Sequence, residues 1–368
     1  MAKQANCIRM ADSVRIRTPS YTEKWAYDYG VLLTGFQALY EKTGEQRFFD
    51  YVKDGMDYFV GPDGTIRMYC AEEYTLDNIN NGKNLLWLYG KTGERKYKTA
   101  CDLLRDQLRT QPRTSEGAFW HKKMYPWQIW LDGLFMASPF YAEYTAEYGQ
   151  NSDFRDIAKQ FRVCESHLRD AKTGLLYHAW DEKHVQPWCD AETGLSPHFW
   201  GRAMGWYVMG LVDTLEWLPK DGPDRSTLTG YLQDAMQSLM RYRDPSSGVW
   251  YQVLDEGGRR GNYLESSVSC MICCAAAKGA RMGVLPVSYT ALAKDIFADI
   301  LEEFVTVRKD GLLNLNKTCE VAGLGGTDKR DGTFAYYISE PIVANDFKGI
   351  GPFLLAGSEI ELPEAGTV

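Results

Sequence analysis

The stretch AMGWYVMGLVDTLEWL at positions 203–218 is apolar or small on nearly every side of a helix, whereas RFFDYVKDGMDYF at 47–59 is apolar on one side and charged on the other. A helix apolar all round needs neighbours all round, and an amphipathic one needs a single packed face. Working outward, the first kind recurs as VLLTGFQALY (31–40), NLLWLYG (84–90), LDGLFMASPFYAEY (131–144), SSVSCMICCAAAKGA (266–280) and PFLLAG (352–357). The second recurs as RKYKTACDLLRDQL (95–108) and TALAKDIFADILEEF (290–304). The two kinds alternate along the chain, which predicts helices over 23–42, 46–59, 77–91, 95–109, 130–148, 152–169, 199–217, 226–242, 265–282, 288–306 and 338–357, with almost no strand-like alternation. Six buried helices inside an amphipathic ring make an all-α (α/α)6 barrel, a toroid of helical hairpins.

A recurrent turn supports the repeat. Gly precedes an aromatic or apolar run at Gly64, Gly117, Gly174, Gly248 and Gly311, each after an amphipathic helix, at spacings of 53, 57, 74 and 63 residues. These loops all emerge at one end of the barrel, so the residues after them, and those opening the next inner helix, converge on one mouth. Five outer helices are visible. A sixth would have to follow residue 357, where eleven residues remain, so the closing helix is unaccounted for. No linker or composition shift divides residues 1–368, which are read as one domain.

Composition narrows the function. Of 368 residues, 45% are apolar and 24% charged, the balance of a packed protein, and 13% are aromatic, with 11 Trp and 23 Tyr that suit sugar faces. A net charge of −8 disfavours nucleic acid and anionic membranes as partners. The nine cysteines are odd in number and mostly inside apolar helices, so they read as reduced; Cys270, Cys273 and Cys274 cluster without the spacing of a zinc site. No metal and no cofactor is expected. MAKQANCIRMADSVRIR at the N-terminus lacks an apolar signal core, so the cytoplasm is the expected compartment, with a processed periplasmic form as the alternative and a monomer or weak homo-oligomer as the expected state.

The polar residues expected at the mouth are Tyr29, Asp77, His121, Trp130, Asp132, His178, Trp180, Asp181, Trp200, Arg202, Trp206 and Lys348. Asp77 and Asp132 each open an inner helix. Either carboxylate alone would serve as a helix cap or dipole partner. Two at equivalent repeat positions, among Trp and Asn, point instead to a site in which one is held protonated as a general acid. His121 and His178 each follow an aromatic residue in the Gly turn. Arg202 and Trp206 share a helix face four residues apart, and an Arg on an otherwise apolar helix needs an anion: Asp77, Asp132 or a substrate carboxylate. Trp217 reads as core.

YPWQIWLDGLFMASPFYAEY (125–144), GLLYHAWD (174–181) and HFWGRAMGWYVMGLVDTLEW (198–217) resemble glycoside hydrolase family 105, the unsaturated rhamnogalacturonyl hydrolases, relatives of the unsaturated glucuronyl hydrolases of family 88. The resemblance runs from KWAYDYG (24–30) to NDFKGIGPFLLAG (345–357). It implies that Asp132 is the general acid/base, that Asp77 assists it, and that Tyr29, His121, Trp130, His178, Arg202 and Trp206 line the subsite of an unsaturated sugar. Ile129 stands where the family pattern has Met. The implied substrate is a small oligosaccharide with a 4,5-unsaturated galacturonate or glucuronate at its non-reducing end, most simply an unsaturated rhamnogalacturonan disaccharide. The implied reaction hydrates the C4=C5 bond without metal or cofactor. Three rivals stand beside it: an inverting glycosidase on a saturated uronide, a non-catalytic glycan-binding toroid, and an epimerase.

Overall fold

The computed structural model describes residues 4–326 and 330–363. The inner helices among them are α2 (Tyr27–Thr43), α4 (Gly82–Thr92), α6 (Asp132–Tyr148), α8 (Gly201–Trp217), α10 (Ser266–Arg281) and α13 (Phe347–Glu361). Each packs on the next in that order, and α13 packs back on α2, so the ring closes. Outside them lie α3 (Gln46–Phe59), α5 (Arg95–Thr110), α7 (Asn151–Leu168), α9 (Pro223–Arg241) and α11 (Ser288–Phe304). The reversal from inner to outer helix is abrupt. Gly44 and Gly93 end α2 and α4 in the left-handed conformation, φ 67° and 70°, and each donates its N–H back into the last turn.

The missing outer helix is at the other end of the chain. Helix α1 (Asn6–Arg17) covers α13 and so completes the outer ring. The Asn6 amide and the Cys7 backbone N–H each donate to the Glu361 carboxylate at 2.8 Å, while Cys7, Met10, Ala11 and Val14 are buried against the barrel. Their 3-and-4 spacing was present in the sequence, but Cys and Ala carry little weight as an apolar stripe among four charged residues.

All five turn glycines have positive φ, between 69° and 91°, and each donates its N–H to the residue three or four positions earlier. Only glycine takes that conformation without a Cβ penalty, which is why the residue recurs. At Gly311 the turn is a full hairpin, with β3 (Val305–Val307) antiparallel to β4 (Leu313–Leu315). Two further antiparallel pairs stitch loops together at the mouth: β1 (Gln128–Trp130) on β2 (Ala179–Asp181), and β5 (Thr318–Cys319) on β6 (Ile342–Val343).

Two element boundaries differ from expectation. The helix expected over 338–357 is split into α12 (Phe334–Ser339), β6 and α13. Pro341 forces Glu340 into an extended conformation, ψ 143°, and the Asp346 carboxylate restarts the helix by accepting from the Lys348 N–H at 2.8 Å. Asp77 does not open an inner helix: it lies in a 3-10 turn, Leu76–Ile79, ahead of α4. The Asn80 and Asn81 side chains donate to the carbonyls of Tyr27 and Ala26, both at 3.1 Å, and so hold this segment against α2 instead of letting it wind. Of the nine cysteines, Cys70 is exposed and Cys189 partly so; the other seven are buried, and all are free. No helix among the described residues is long and apolar enough to cross a membrane.

Candidate active site

At the end of the barrel where α2, α6 and α13 begin, a cavity of about 610 Å³ opens between Tyr27, Asp77, His121, Trp130, Asp132 and the segment Glu320–Gly323. Pairing of β1 with β2 sets its wall. Trp130 opposes Ala179, and the Leu131 N–H donates to the His178 carbonyl at 2.9 Å, so the loops carrying His121 and His178 meet at the first residue of α6, Asp132. Tyr125, Trp130 and His121 form a stack with centroids 4.9 Å apart at each step.

The two carboxylates sit in different surroundings. Asp77 meets the Lys122 amine at 2.5 Å and His121 Nε2 at 3.6 Å. Burial alone would raise its carboxyl, but Lys122 and His121 outweigh that and hold it below the usual range, so it is an anion. Burial also brings the His121 imidazole down to about 4, despite Asp77, leaving the ring neutral at ordinary pH. Asp132 is largely buried, yet its Oδ2 has no hydrogen-bond partner among the described residues. His178 Nε2 stands 3.2 Å from that oxygen without the alignment of a hydrogen bond.

The other ring nitrogen of His178, Nδ1, is 2.8 Å from the Tyr337 hydroxyl on α12. Tyr337 is fully buried, and burial pushes its phenol far above the usual range. Its proton has no other acceptor among the described residues, so it goes to Nδ1 and leaves the histidine proton on Nε2, facing Asp132. Among the described residues no three His, Cys, Asp or Glu side chains are grouped as a metal ion would require.

The remaining expected residues separate. Arg202 does not reach Asp77 or Asp132. It is 1% exposed, donates to the Cys319 carbonyl at 2.5 Å, and has Glu265 at 4.0 Å; Glu265 in turn accepts the Cys319 N–H at 2.9 Å. The pair therefore clamps the strand leading into the cavity wall at Glu320. Trp206 stacks on Phe135 at 4.6 Å and meets Tyr27 edge-on at 6.1 Å, one layer behind the wall. Tyr29 points away, stacked on Tyr21 at 4.5 Å, and the α2 tyrosine on the cavity is Tyr27, because residues two apart on a helix face about 200° apart. Trp180 stacks on His167, Asp181 is consumed by backbone N–H groups of its own loop, and Trp200 packs on His178. Lys348 lies on the cavity, paired with Asp346 at 2.9 Å.

Lys122 and Arg330 also face the cavity, Arg330 donating to the Tyr125 hydroxyl at 2.9 Å. The signal for Lys122 was available: it directly follows His121 in a turn already singled out. Arg330 carried none, since its loop has no place in the hairpin repeat.

Residues 2–362 match the model of Glycosyl Hydrolase Family 88. The unsaturated rhamnogalacturonyl hydrolase YesR of Bacillus subtilis is 29% identical over 306 residues, 82% of this chain and 81% of that protein. A solved family 105 glycoside hydrolase from C. acetobutylicum is 53% identical, covering 97% of this chain and 99% of that one, with a TM-score of 0.96. The unsaturated glucuronyl hydrolase from Bacillus sp. GL1, 14% identical with a TM-score of 0.69 over 95% and 94% of the two chains, shares the α/α toroid.

Proposed function

This chain belongs to Glycosyl Hydrolase Family 88, and from that premise we propose that it releases a 4,5-unsaturated uronic acid from the non-reducing end of lyase-generated oligosaccharides, an unsaturated rhamnogalacturonan disaccharide being the simplest substrate. It is a glycoside hydrolase acting without chemistry at the anomeric carbon in its first step. Asp132 protonates C4 of the C4=C5 bond, leaving an oxocarbenium ion across C5 and the ring oxygen. The resulting aspartate takes a proton from water as that oxygen bonds to C5. The C5 hemiketal opens, and the hemiacetal left at C1 expels the rest of the glycan as an alcohol.

The observation that carries this reading is the contrast between the carboxylates. Asp77 is held as an anion by Lys122 and supplies fixed negative charge for the oxocarbenium ion. Asp132 lines the cavity, and its Oδ2 has no hydrogen-bond partner among the described residues, so the carboxyl is free to give and regain a proton. Trp130 offers a flat face to the sugar, and Lys24, Lys122, Arg330 and Lys348 are the cations on the cavity wall that can meet its carboxylate. Arg202 acts in this reading by holding the Cys319–Glu320 wall in place.

The test follows the atoms. In heavy water the product must gain solvent deuterium at C4, and labelled water oxygen must appear at C5. Oxygen label confined to C1, or efficient cleavage of a saturated uronyl disaccharide, overturns hydration in favour of ordinary glycosidic hydrolysis.

A further inference from the structure

A second cavity, of about 540 Å³, opens at the opposite end of the barrel, where the inner helices finish. Its charged groups are mostly spent on one another. Lys278 holds Asp213 at 2.7 Å and Glu216 at 2.8 Å, Arg281 holds Glu359 at 2.7 Å, and Lys91 holds Glu41 at 2.7 Å. Two donors on its wall are not spent. Lys83 is 8% exposed and its Nζ has no hydrogen-bond partner among the described residues, with Asp213 4.0 Å away and the Phe135 ring beneath it at 4.0 Å. Gln37 is 6% exposed, and its Nε2 is likewise unpartnered. Both line the same cavity, one from α4 and one from α2.

A buried donor without an acceptor costs about 1–3 kcal/mol, more when charged. Two such donors on one concave wall call for a group that brings oxygens to both, and one of the donors is a cation. We propose that this cavity is a second binding site, for a small hydroxy-carboxylate of monosaccharide size, whose carboxylate lies between Lys83 and Gln37.

The rest of the wall fits that class. Burial raises the Glu143 carboxyl to about 8, reinforced by Glu147, so near neutral pH it is a neutral partner for a hydroxyl rather than a charge repelling the anion. The half-buried Trp217, expected in the core, turns part of its ring to the cavity and offers a sugar face. A volume of 540 Å³ is within the range of small-molecule pockets, roughly 300–1,000 Å³. The site is also placed apart from the catalytic groups, since Phe135 beneath Lys83 stacks on Trp206, which in turn meets Tyr27 of the first cavity. The inference does not rest on the hydration reaction.

The experiment pairs crystals soaked in D-glucuronate with calorimetric titrations of D-glucuronate and D-glucose into the intact protein. The expected result is a glucuronate in the second cavity with its carboxylate on Lys83 and Gln37, and an affinity for it in solution that exceeds that for glucose. Lys83→Met and Gln37→Leu should each weaken that binding tenfold or more, with turnover of the unsaturated disaccharide unchanged. Equal affinity for glucose, occupancy of the first cavity only, binding at crystal concentration only, or unaltered affinity in both variants each overturns the proposal.

Discussion

The two ends of this barrel are built from the same six helices, and both collect acidic and basic side chains, but they place them differently. Asp28 and Asp132 lie in the first turns of α2 and α6, and Asp346 caps α13; at the other end Lys42, Lys91, Lys278 and Arg281 occupy last turns. Parallel inner helices point their positive ends to one mouth and their negative ends to the other, so carboxylates are favoured at the first and ammonium groups at the second. The ends also differ in how that charge is used. Behind, the ion pairs run between helices and hold the ring together. In front, Asp132 keeps an oxygen free, and the counter-charges Lys122 and Arg330 come from loops. The same dipole arrangement thus yields cohesion at one end and chemistry at the other.

The largest expected effect is at the front. Asp132→Asn should lose turnover by ~10²–10⁴ while unfolding at an unchanged urea concentration, because an amide cannot donate and recover the proton. Wild-type turnover in that folded variant would remove the distinction between the two ends. The mirror experiment is Lys278→Met at the back. Removing one cation leaves the part-buried Asp213 and the exposed Glu216 without their shared partner, which should cost about 2 kcal/mol of unfolding free energy and leave turnover per folded molecule intact. A fall in turnover with unchanged stability would show that the back end takes part in catalysis.

The pH dependence of stability sharpens the contrast. An unfolded histidine takes up a proton near 6.5, but burial holds His121 to about 4, so between those values the unfolded chain binds more protons. Stability should fall as pH drops through this window, by about 3 kcal/mol from this one group at about 1.4 kcal/mol per unit. His121→Gln should flatten that slope in denaturation curves between pH 4 and 7; an unchanged slope would mean that the ring is protonated in place.

The smallest expected effect tests the contact behind Asp132. Tyr337→Phe removes the donor to His178 Nδ1 and frees the ring to carry its proton on the wrong nitrogen. kcat should fall about tenfold, near 1.4 kcal/mol, with KM unchanged. Loss of stability with normal kcat would instead make the tyrosine a packing residue.

The hairpin ring was legible because it rests on local physics repeated along the chain. All-round apolar helices alternate with one-sided ones, and a left-handed glycine forms the turn that follows each of α3, α5, α7, α9 and α11, so burial and turn geometry are written in residue types. Asp132, Asp77, His121 and Trp130 were legible as mouth residues for the same reason, since position in the repeat decides which end a residue occupies. That rule does not decide which way a side chain turns. Tyr29 and Tyr27 are two residues apart on one helix and so face opposite ways, but only the folded ring decides which of those faces meets the cavity: Tyr27 lies on it and Tyr29 packs against Tyr21. Arg202 needed an anion, as its apolar surroundings implied, but Glu265 supplied it from a helix entrance 63 residues further along, where no local pattern could show it. The closing of the ring was likewise a tertiary decision. Helix α1 has too weak a stripe to announce itself, and it is an outer helix only because the exposed flank of α13 and the Glu361 carboxylate lie beside it. Sequence determined what each segment must bury; the folded ring decided which partner each buried group meets, because those partners are brought together across hundreds of residues.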